Sequence, residues 1–177
     1  AHQVAINLAS LTFMVPLGVA SASAVRVGHA VGRADGPAVR RAAAAGLACG
    51  AGFMAATALL FLALPGALAG AYTTDAAVVA MAAALLPIAG VFQIFDGVQV
   101  VSSGILRGLG DTRAPMVVNV LGFWLVGMPV SLGLAFPLAL GPRGLWWGLV
   151  AGLAAVAVLL LHRIARRLSR PMARVIV

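Results

Sequence analysis

An acidic side chain, Asp96, interrupts an apolar run that extends from residue 76 to residue 106. On a helix, with 100° between successive residues, Gln93, Gln99 and Ser103 fall within about 120° of arc on the same side. A charged group at the centre of a bilayer costs about 2.5–3.5 kcal/mol, so such acids usually face an interior cavity and serve ion or proton pathways. We therefore predict that Asp96, oriented by Gln93, binds a proton or a cation. The alternative is a neutral Asp96 that only hydrogen-bonds a neighbouring helix.

Other polar or soft side chains within apolar runs are candidates for lining a cavity near this acid. They are Gln3, Asn7, Ser10, Met14, Gln99, Ser103 and Asn119. The four nearest the start of the chain lie within about 60° of arc on one helix. Asn and Ser side chains also form interhelical hydrogen bonds that only hold a bundle together, and this structural role is the alternative for the whole set.

The composition is that of a membrane protein. Hydrophobic residues make up 63% of the 177 positions and charged residues 9%, whereas a soluble domain is about half apolar and a quarter charged. The mean hydropathy is +1.09. Stretches long enough to cross ~30 Å of hydrocarbon as helices cover residues 4–25, 42–64, 76–106, 114–137 and 145–161. Because they lack the alternation of barrel strands, we predict an all-α polytopic bundle of five transmembrane helices.

The positive charges are distributed unequally between the links. All twelve basic residues are Arg, the formal net charge is +8, and only Arg143 lies outside the first link, the third link and the C-terminal tail. Since cytoplasmic loops are rich in Arg and Lys, we predict that the N-terminus faces outward and that the tail, with Arg170 and Arg174, is cytoplasmic. Arginines at the ends of spans do not form the water-facing surface that nucleic-acid binding needs. Without a signal peptide, an outward start leads us to expect an odd number of spans upstream.

Small and aromatic residues indicate how the spans pack. Gly90, Gly97 and Gly104 recur every seven residues and so stay within about 40° of arc on a helix. Small residues on one stripe let membrane helices approach closely, and we predict that another helix packs into this groove. Trp146 and Trp147, at the start of the fifth span, are predicted to anchor the bundle at headgroup depth.

The sequence contains no pattern typical of an enzyme or a metal centre. Cys49 is the only cysteine, and His2, His29 and His162 follow no ligand spacing. There is no Lys, and therefore no phosphate-binding loop with a Lys. We expect no catalytic residues, no cofactor, and no metal beyond a possible Na⁺ at Asp96.

Two stretches of the sequence are specific to a known family of transporters. They read AHQVAINLASLTFMVPLGVASASAVRVGHAVGRAD at 1–35 and VFQIFDGVQVVSSGILRGLGDTRAP at 91–115, with looser matches at 122–136 and 144–153. Together they resemble the multidrug and toxic compound extrusion (MATE) transporters, and most of all the NorM branch. The resemblance implies that residues 1–177 are a partial C-terminal lobe, equivalent to helices eight to twelve of twelve, whose partner in the bilayer is an N-terminal lobe of the same polypeptide.

This resemblance also implies an activity. The family exports cationic lipophilic compounds in exchange for H⁺ or Na⁺, and the chain alone is expected to be inactive. Asp96 matches the membrane acid of the family's tenth helix, which contributes to the cation-coupling site, and Gln93 and Gln99 match its neighbours in the motif. Phe92 stands where many relatives carry Tyr, so it is a candidate cavity residue without the hydroxyl that would make it a ligand.

Two other functions are compatible with a helical bundle of this kind. A lipid-linked oligosaccharide flippase of the same superfamily would need several cationic residues in its cavity to hold pyrophosphate, whereas Arg occurs here only at the ends of the spans. A structural membrane protein without transport activity would not need Asp96.

Overall fold

The computed structural model describes residues 2–137 and 140–169, so the tail with Arg170 and Arg174 lies outside the described residues. Within this part of the chain, five helical segments are long and apolar enough to cross a membrane, which confirms the all-α bundle. The elements are α1 (His2–Gly32), α2 (Gly36–Ala63), α3 (Pro65–Gly70), α4 (Ala76–Gly108), α5 (Arg113–Leu121), a π-helical turn (Gly122–Gly127), α6 (Met128–Ala135) and α7 (Gly141–Leu168). The short α5, the π turn and α6 together form the fourth span.

Several helices extend beyond the apolar stretches of the sequence. Helix α1 continues to Gly32, α2 begins at Gly36, and α7 continues to Leu168. The additional turns carry arginines such as Arg26 and Arg163. Hydropathy locates the part of a helix that hydrocarbon surrounds, while long Arg side chains on the terminal turns can extend to water.

Aspartate side chains begin two of the long helices. Asp35 Oδ1 accepts a hydrogen bond from the Ala38 N–H at 2.9 Å, and Asp75 Oδ1 accepts one from the Ala77 N–H at 2.9 Å. Each bond satisfies a backbone donor that has no partner within the first turn of its helix. These two carboxylates are therefore accounted for by helix capping.

Helix α4 packs against α1 and α2 through its glycines, as predicted. A Cβ atom at Gly90 would lie 3.1 Å from the Ala58 carbonyl oxygen of α2, and one at Gly97 would lie 3.2 Å from the Gly50 carbonyl oxygen. At Gly104 the neighbour is the backbone of Ala20 on α1. Only a hydrogen atom fits between these backbones, so the glycine stripe places α4 at the centre of the bundle.

The fourth span changes helix type before a proline. At the end of the π turn, the Met128 N–H donates to the Phe123 carbonyl oxygen, five residues back. The next residue, Pro129, has no N–H to donate to the carbonyl four residues earlier, so an α-helical hydrogen bond is missing there in any case. Gly122 and Gly127 on this segment lie against Gly152 of α7, which lets the two helices touch through their backbones.

The buried apolar residues form two clusters along α4. One includes Phe61, Leu86 and Trp146 and extends along α4 as far as Phe95. The other begins on α4 at Val100 and includes residues of α1, α2 and α7. Asp96, Gly97 and Gln99 lie in the interval between the two clusters.

Arginines of α2 and α7 lie together at one end of the bundle. Arg40, near the start of α2, donates to the Leu168 carbonyl oxygen at the end of α7 at 2.9 Å. Arg163 and Arg167 of α7 both contact Asp111, in the link between α4 and α5, at 2.9 Å. Arg143 lies at the start of α7, at the opposite end of that helix.

Candidate functional site

A cavity of about 240 Å³ lies between α1, α4 and α7 and includes Asp96 in its wall. Its lining is mostly aromatic and aliphatic. The residues are His2, Ile6, Ala9, Ser10 and Phe13 from α1, Phe92 and Asp96 from α4, and Trp146 and Leu149 from α7. Of the predicted site residues, the structure thus brings together Asp96, Phe92 and Ser10.

The Asp96 carboxylate is partly buried and has no hydrogen-bond donor among residues 2–137 and 140–169. The other three acidic residues of the sequence are engaged, since Asp35 and Asp75 cap helices and Asp111 pairs with arginines. Asp96 is also the one acid within a membrane-spanning segment. Its oxygen atoms are therefore available to a proton or a cation that enters the cavity.

Trp146 joins α7 to the other two walls of the cavity. Its indole N–H donates to Nδ1 of His2 at 3.3 Å, and its ring meets the rings of His2 and Phe92 edge to face, with centroids 5.7 and 6.0 Å apart. The indole is only 4% exposed, so the prediction that Trp146 is an interfacial anchor is wrong. Trp147, the next residue, is 43% exposed, and its anchoring role stays a prediction.

Gln93 lies on α4 away from this cavity and bonds to two other helices. Its Oε1 atom lies 2.8 Å from the Thr12 hydroxyl of α1 and 2.9 Å from the Thr57 hydroxyl of α2. The side chain is fully buried, and its Nε2 atom has no partner in the described part of the chain. Gln93 therefore links three helices, and its orienting effect on Asp96 stays a prediction.

Two other polar residues of the α4 stripe also face protein. Gln99 Nε2 donates to Asn119 Oδ1 on α5 at 2.8 Å, and Asn119 Nδ2 donates to the Pro115 carbonyl oxygen at 2.7 Å. The Ser103 hydroxyl is buried without a hydrogen-bond partner among the described residues. The amide pair connects the third span to the fourth in the way predicted for interhelical hydrogen bonds, and a cavity-lining role for these residues stays a prediction.

The remaining candidates on α1 lie on its exposed side. Gln3 and Asn7 are exposed and hydrogen-bond each other, with 3.4 Å between Nε2 and Oδ1, and Met14 is 60% exposed. No helix within residues 2–137 and 140–169 covers these three side chains. Their role in lining a larger cavity therefore stays a prediction.

Sequence reasoning missed His2 and Trp146 as cavity residues. His2, Ile6 and Phe13 follow the helical spacing of Ser10, so the face that Ser10 occupies would have identified them. Trp146 carried no such signal, because residues 145–161 of α7 are apolar on all sides and periodicity there does not distinguish a protein-facing side from a lipid-facing one.

A family model described as MatE matches residues 1–132. The chain belongs to the MatE family. This MatE-family chain is 50% identical over 168 residues to "Multidrug resistance protein NorM" of Burkholderia vietnamiensis, an alignment that covers 92% of this chain and 36% of that protein. It is also 50% identical over 172 residues to "Probable multidrug resistance protein NorM" of Xanthomonas campestris pv. campestris, covering 96% of this chain and 38% of that protein.

Solved structures of MATE transporters share the arrangement of helices. "Crystal structure of eukaryotic MATE transporter AtDTX14" superposes with a TM-score of 0.87 at 22% identity, over 98% of this chain and 40% of that one. "Inward-facing conformation of a multidrug resistance MATE family transporter of the MOP superfamily" superposes with a TM-score of 0.84 at 18% identity, over 93% and 38%. The MatE-family chain therefore has a MATE-type fold and spans less than two fifths of the length of the NorM relatives named above.

Proposed function

We propose that the transporter to which this chain contributes is a secondary active multidrug efflux antiporter, which exports cationic lipophilic compounds in exchange for H⁺ or Na⁺. The observation that carries this proposal is the Asp96 carboxylate, which lines a mostly apolar and aromatic cavity without a hydrogen-bond donor among the described residues. The multidrug resistance names of the NorM relatives support the substrate class.

The chemistry of the cavity suits a lipophilic cation. A carboxylate attracts a cation more strongly in a site that excludes water than in bulk solution, and the faces of aromatic rings such as Phe13, Phe92 and Trp146 attract cations as well. Aliphatic neighbours, Ile6 and Leu149, offer contact to the apolar part of the same molecule. A proton, by contrast, needs only the carboxylate.

Coupling follows from competition for one charge. A proton, a Na⁺ ion and an organic cation each neutralise Asp96, and they cannot all do so at once. If the two lobes of the transporter alternate between outward-facing and inward-facing states, the ion that binds on one side displaces the drug that was taken up on the other. Asp96 is thus proposed as the exchangeable site, with Gln93 as a neighbour that acts indirectly through the packing of α4.

The two alternative functions are less well supported. A flippase cavity that holds pyrophosphate needs cationic groups, and the described lining of the Asp96 cavity contains no Arg. A protein that serves only to build structure would gain nothing from an acid without a hydrogen-bond donor. We place the transporter in a bacterial inner membrane, with the start of this chain outside and its C-terminal tail in the cytoplasm.

Replacement of Asp96 by Asn in the full-length transporter tests the proposal. The substitution keeps the shape of the side chain but removes the charge, so we expect ion-driven uptake of a fluorescent lipophilic cation into inverted vesicles to fall to background at matched expression. Asp75→Asn, which alters an exposed capping acid, is the control and should retain uptake. Gln93→Ala should reduce uptake less than Asp96→Asn does. Full ion-driven uptake by the Asp96→Asn variant would show that Asp96 is not the coupling site.

A further inference from the structure

A second cavity, of about 650 Å³, lies between the first turn of α5 and the last turns of α7. It is at the arginine-rich end of the bundle, away from the Asp96 cavity. The cationic residues in its wall are Arg113, Arg163, Arg166 and Arg167, and His162 lies beside them. Asp111 is the one carboxylate among the described lining residues. The lining thus contains four guanidinium groups and a single acid, so the cavity carries an excess of positive charge.

Asp111 holds two of these arginines in a fixed position. Its Oδ2 atom accepts from Nε of Arg163 at 2.9 Å, from Nε of Arg167 at 3.1 Å and from Nη2 of Arg167 at 2.9 Å. Its Oδ1 atom lies 3.3 Å from the Ala114 N–H at the start of α5. A guanidinium has five N–H donors, so each arginine keeps at least three that no other described residue accepts. The pair is held in place by a buried acid yet remains free to bind an anion.

The other two arginines have no side-chain partner in the described part of the chain. Arg113 and Arg166 are exposed at the edge of the cavity. One helical turn further into the spans, the wall becomes apolar with Val117 and Leu159, whose side chains are 46% and 48% exposed. The cavity thus has a cationic opening next to an apolar surface, which is the complement of an amphipathic anion.

We propose that this cavity binds an anionic phospholipid, with the lipid phosphate on the arginines and the start of an acyl chain along Val117 and Leu159. Guanidinium groups bind phosphate through paired, charge-assisted hydrogen bonds. Basic pockets between spans near the membrane surface are suited to lipid headgroups. Free phosphate also carries negative charge, but it has no apolar part that could contact Val117 and Leu159. The proposal is independent of the transport activity proposed above.

The test uses the full-length transporter purified in detergent and titrated with phosphatidylglycerol, with binding followed by native mass spectrometry. The variant Arg113→Gln/Arg166→Gln removes two arginines that make no described side-chain contact, so it should fold. Each Arg near an anionic lipid surface contributes a factor of about five to affinity, so the double variant should bind about 25-fold more weakly. The control, Arg107→Gln/Arg143→Gln, removes the same net charge elsewhere and should change the affinity less than threefold.

Three further ligands separate the possible sources of the phosphate group. Phosphatidylcholine, inorganic phosphate and glycerol 3-phosphate should each bind at least tenfold more weakly than phosphatidylglycerol. Equal weakening in the two double variants would show a general charge effect and overturn the proposed site. Equally tight binding of inorganic phosphate or glycerol 3-phosphate would make it a site for free anions and overturn the lipid assignment. If the double variant does not fold, Arg113→Gln and Arg166→Gln are measured singly, and each must weaken phosphatidylglycerol binding about fivefold.

Discussion

Trp146 donates its indole N–H to Nδ1 of His2, 3.3 Å away, and this hydrogen bond joins α7 to α1 at the wall of the Asp96 cavity. The two residues are 144 positions apart in the chain, so the bond ties the first turn of α1 to the first turns of α7. Trp146 and its neighbour Trp147 have different environments, because Trp146 is buried whereas Trp147 is 43% exposed.

Trp146→Ala should destabilise the detergent-solubilised transporter strongly. The substitution removes a buried ring from the contact between α1, α4 and α7, and a loss of about 3–5 kcal/mol is typical for such a deletion. Trp146→Phe keeps a ring but loses the donor, which typically costs about 1 kcal/mol. Thermal unfolding measures both. The matched control is Trp147→Ala, and an equal effect from this exposed neighbour would contradict the inward placement of Trp146.

Gly97→Leu should separate α4 from α2 and lower the yield of folded transporter. Even a Cβ atom at this position would lie 2.5 Å from the Met54 side chain and 3.2 Å from the Gly50 carbonyl oxygen. Gly52→Leu is the control, because Gly52 lies on α2 with nothing within 4 Å of a new Cβ. Size-exclusion profiles at matched expression separate the two variants, and a Gly97→Leu protein that folds and melts like the parent would refute the close approach.

Asp111→Asn should lower the thermal stability at pH 7, and the difference from the parent should disappear in acid. Partial burial alone would raise the pKa of Asp111, but hydrogen bonds from Arg167 and Arg163 hold this pKa below its ordinary value. A carboxyl whose folded-state pKa is depressed stabilises the fold above its unfolded pKa of about 4, and this contribution is lost as the pH falls through the folded-state pKa. Melting temperatures of both proteins between pH 7 and pH 3 measure the effect. A difference that persists undiminished at pH 3 would mean that the charge of Asp111 is unimportant.

The proposed orientation predicts which links are accessible from outside the cell. In a Cys49→Ala background, a cysteine at Ala71 should react with an impermeant maleimide added outside, and a cysteine at Ala34 should not. Ala71 and Ala34 are exposed in the structure, whereas the nearby Ala69 is fully buried and would not report on topology. Labelling of the Ala34→Cys variant from outside would reverse the orientation.

The sequence predicted those features that contrast with an apolar background. Asp96 could be identified from the sequence because burying a carboxylate within a span costs free energy. The glycine stripe could be identified because its spacing of seven residues is regular. The helix count followed from length and hydropathy. The ends of the helices could not be predicted in this way, because α1 and α7 continue for turns that are polar but still helical.

What the sequence could not predict is which side of an apolar helix faces protein. Lipid tails and protein interiors are equally apolar, so Trp146 could be assigned to either. The partners of Gln93 were also hidden, since Thr12 and Thr57 lie 81 and 36 residues away along the chain. Each Thr hydroxyl also lies within hydrogen-bond distance of a carbonyl oxygen on its own helix, so neither shows a need for a distant partner.

The interval between the two apolar clusters divides the buried side-chain packing along α4 into two parts. The cluster that includes Phe61 and Leu86 and the cluster that includes Val101 and Leu160 share no buried residue. The segment between them contains Asp96, Gly97 and Gln99 instead of interlocked large side chains. If transport changes the charge of Asp96, the change therefore falls between the two clusters, where α4 contacts α2 through Gly97 instead of through a large apolar side chain of its own.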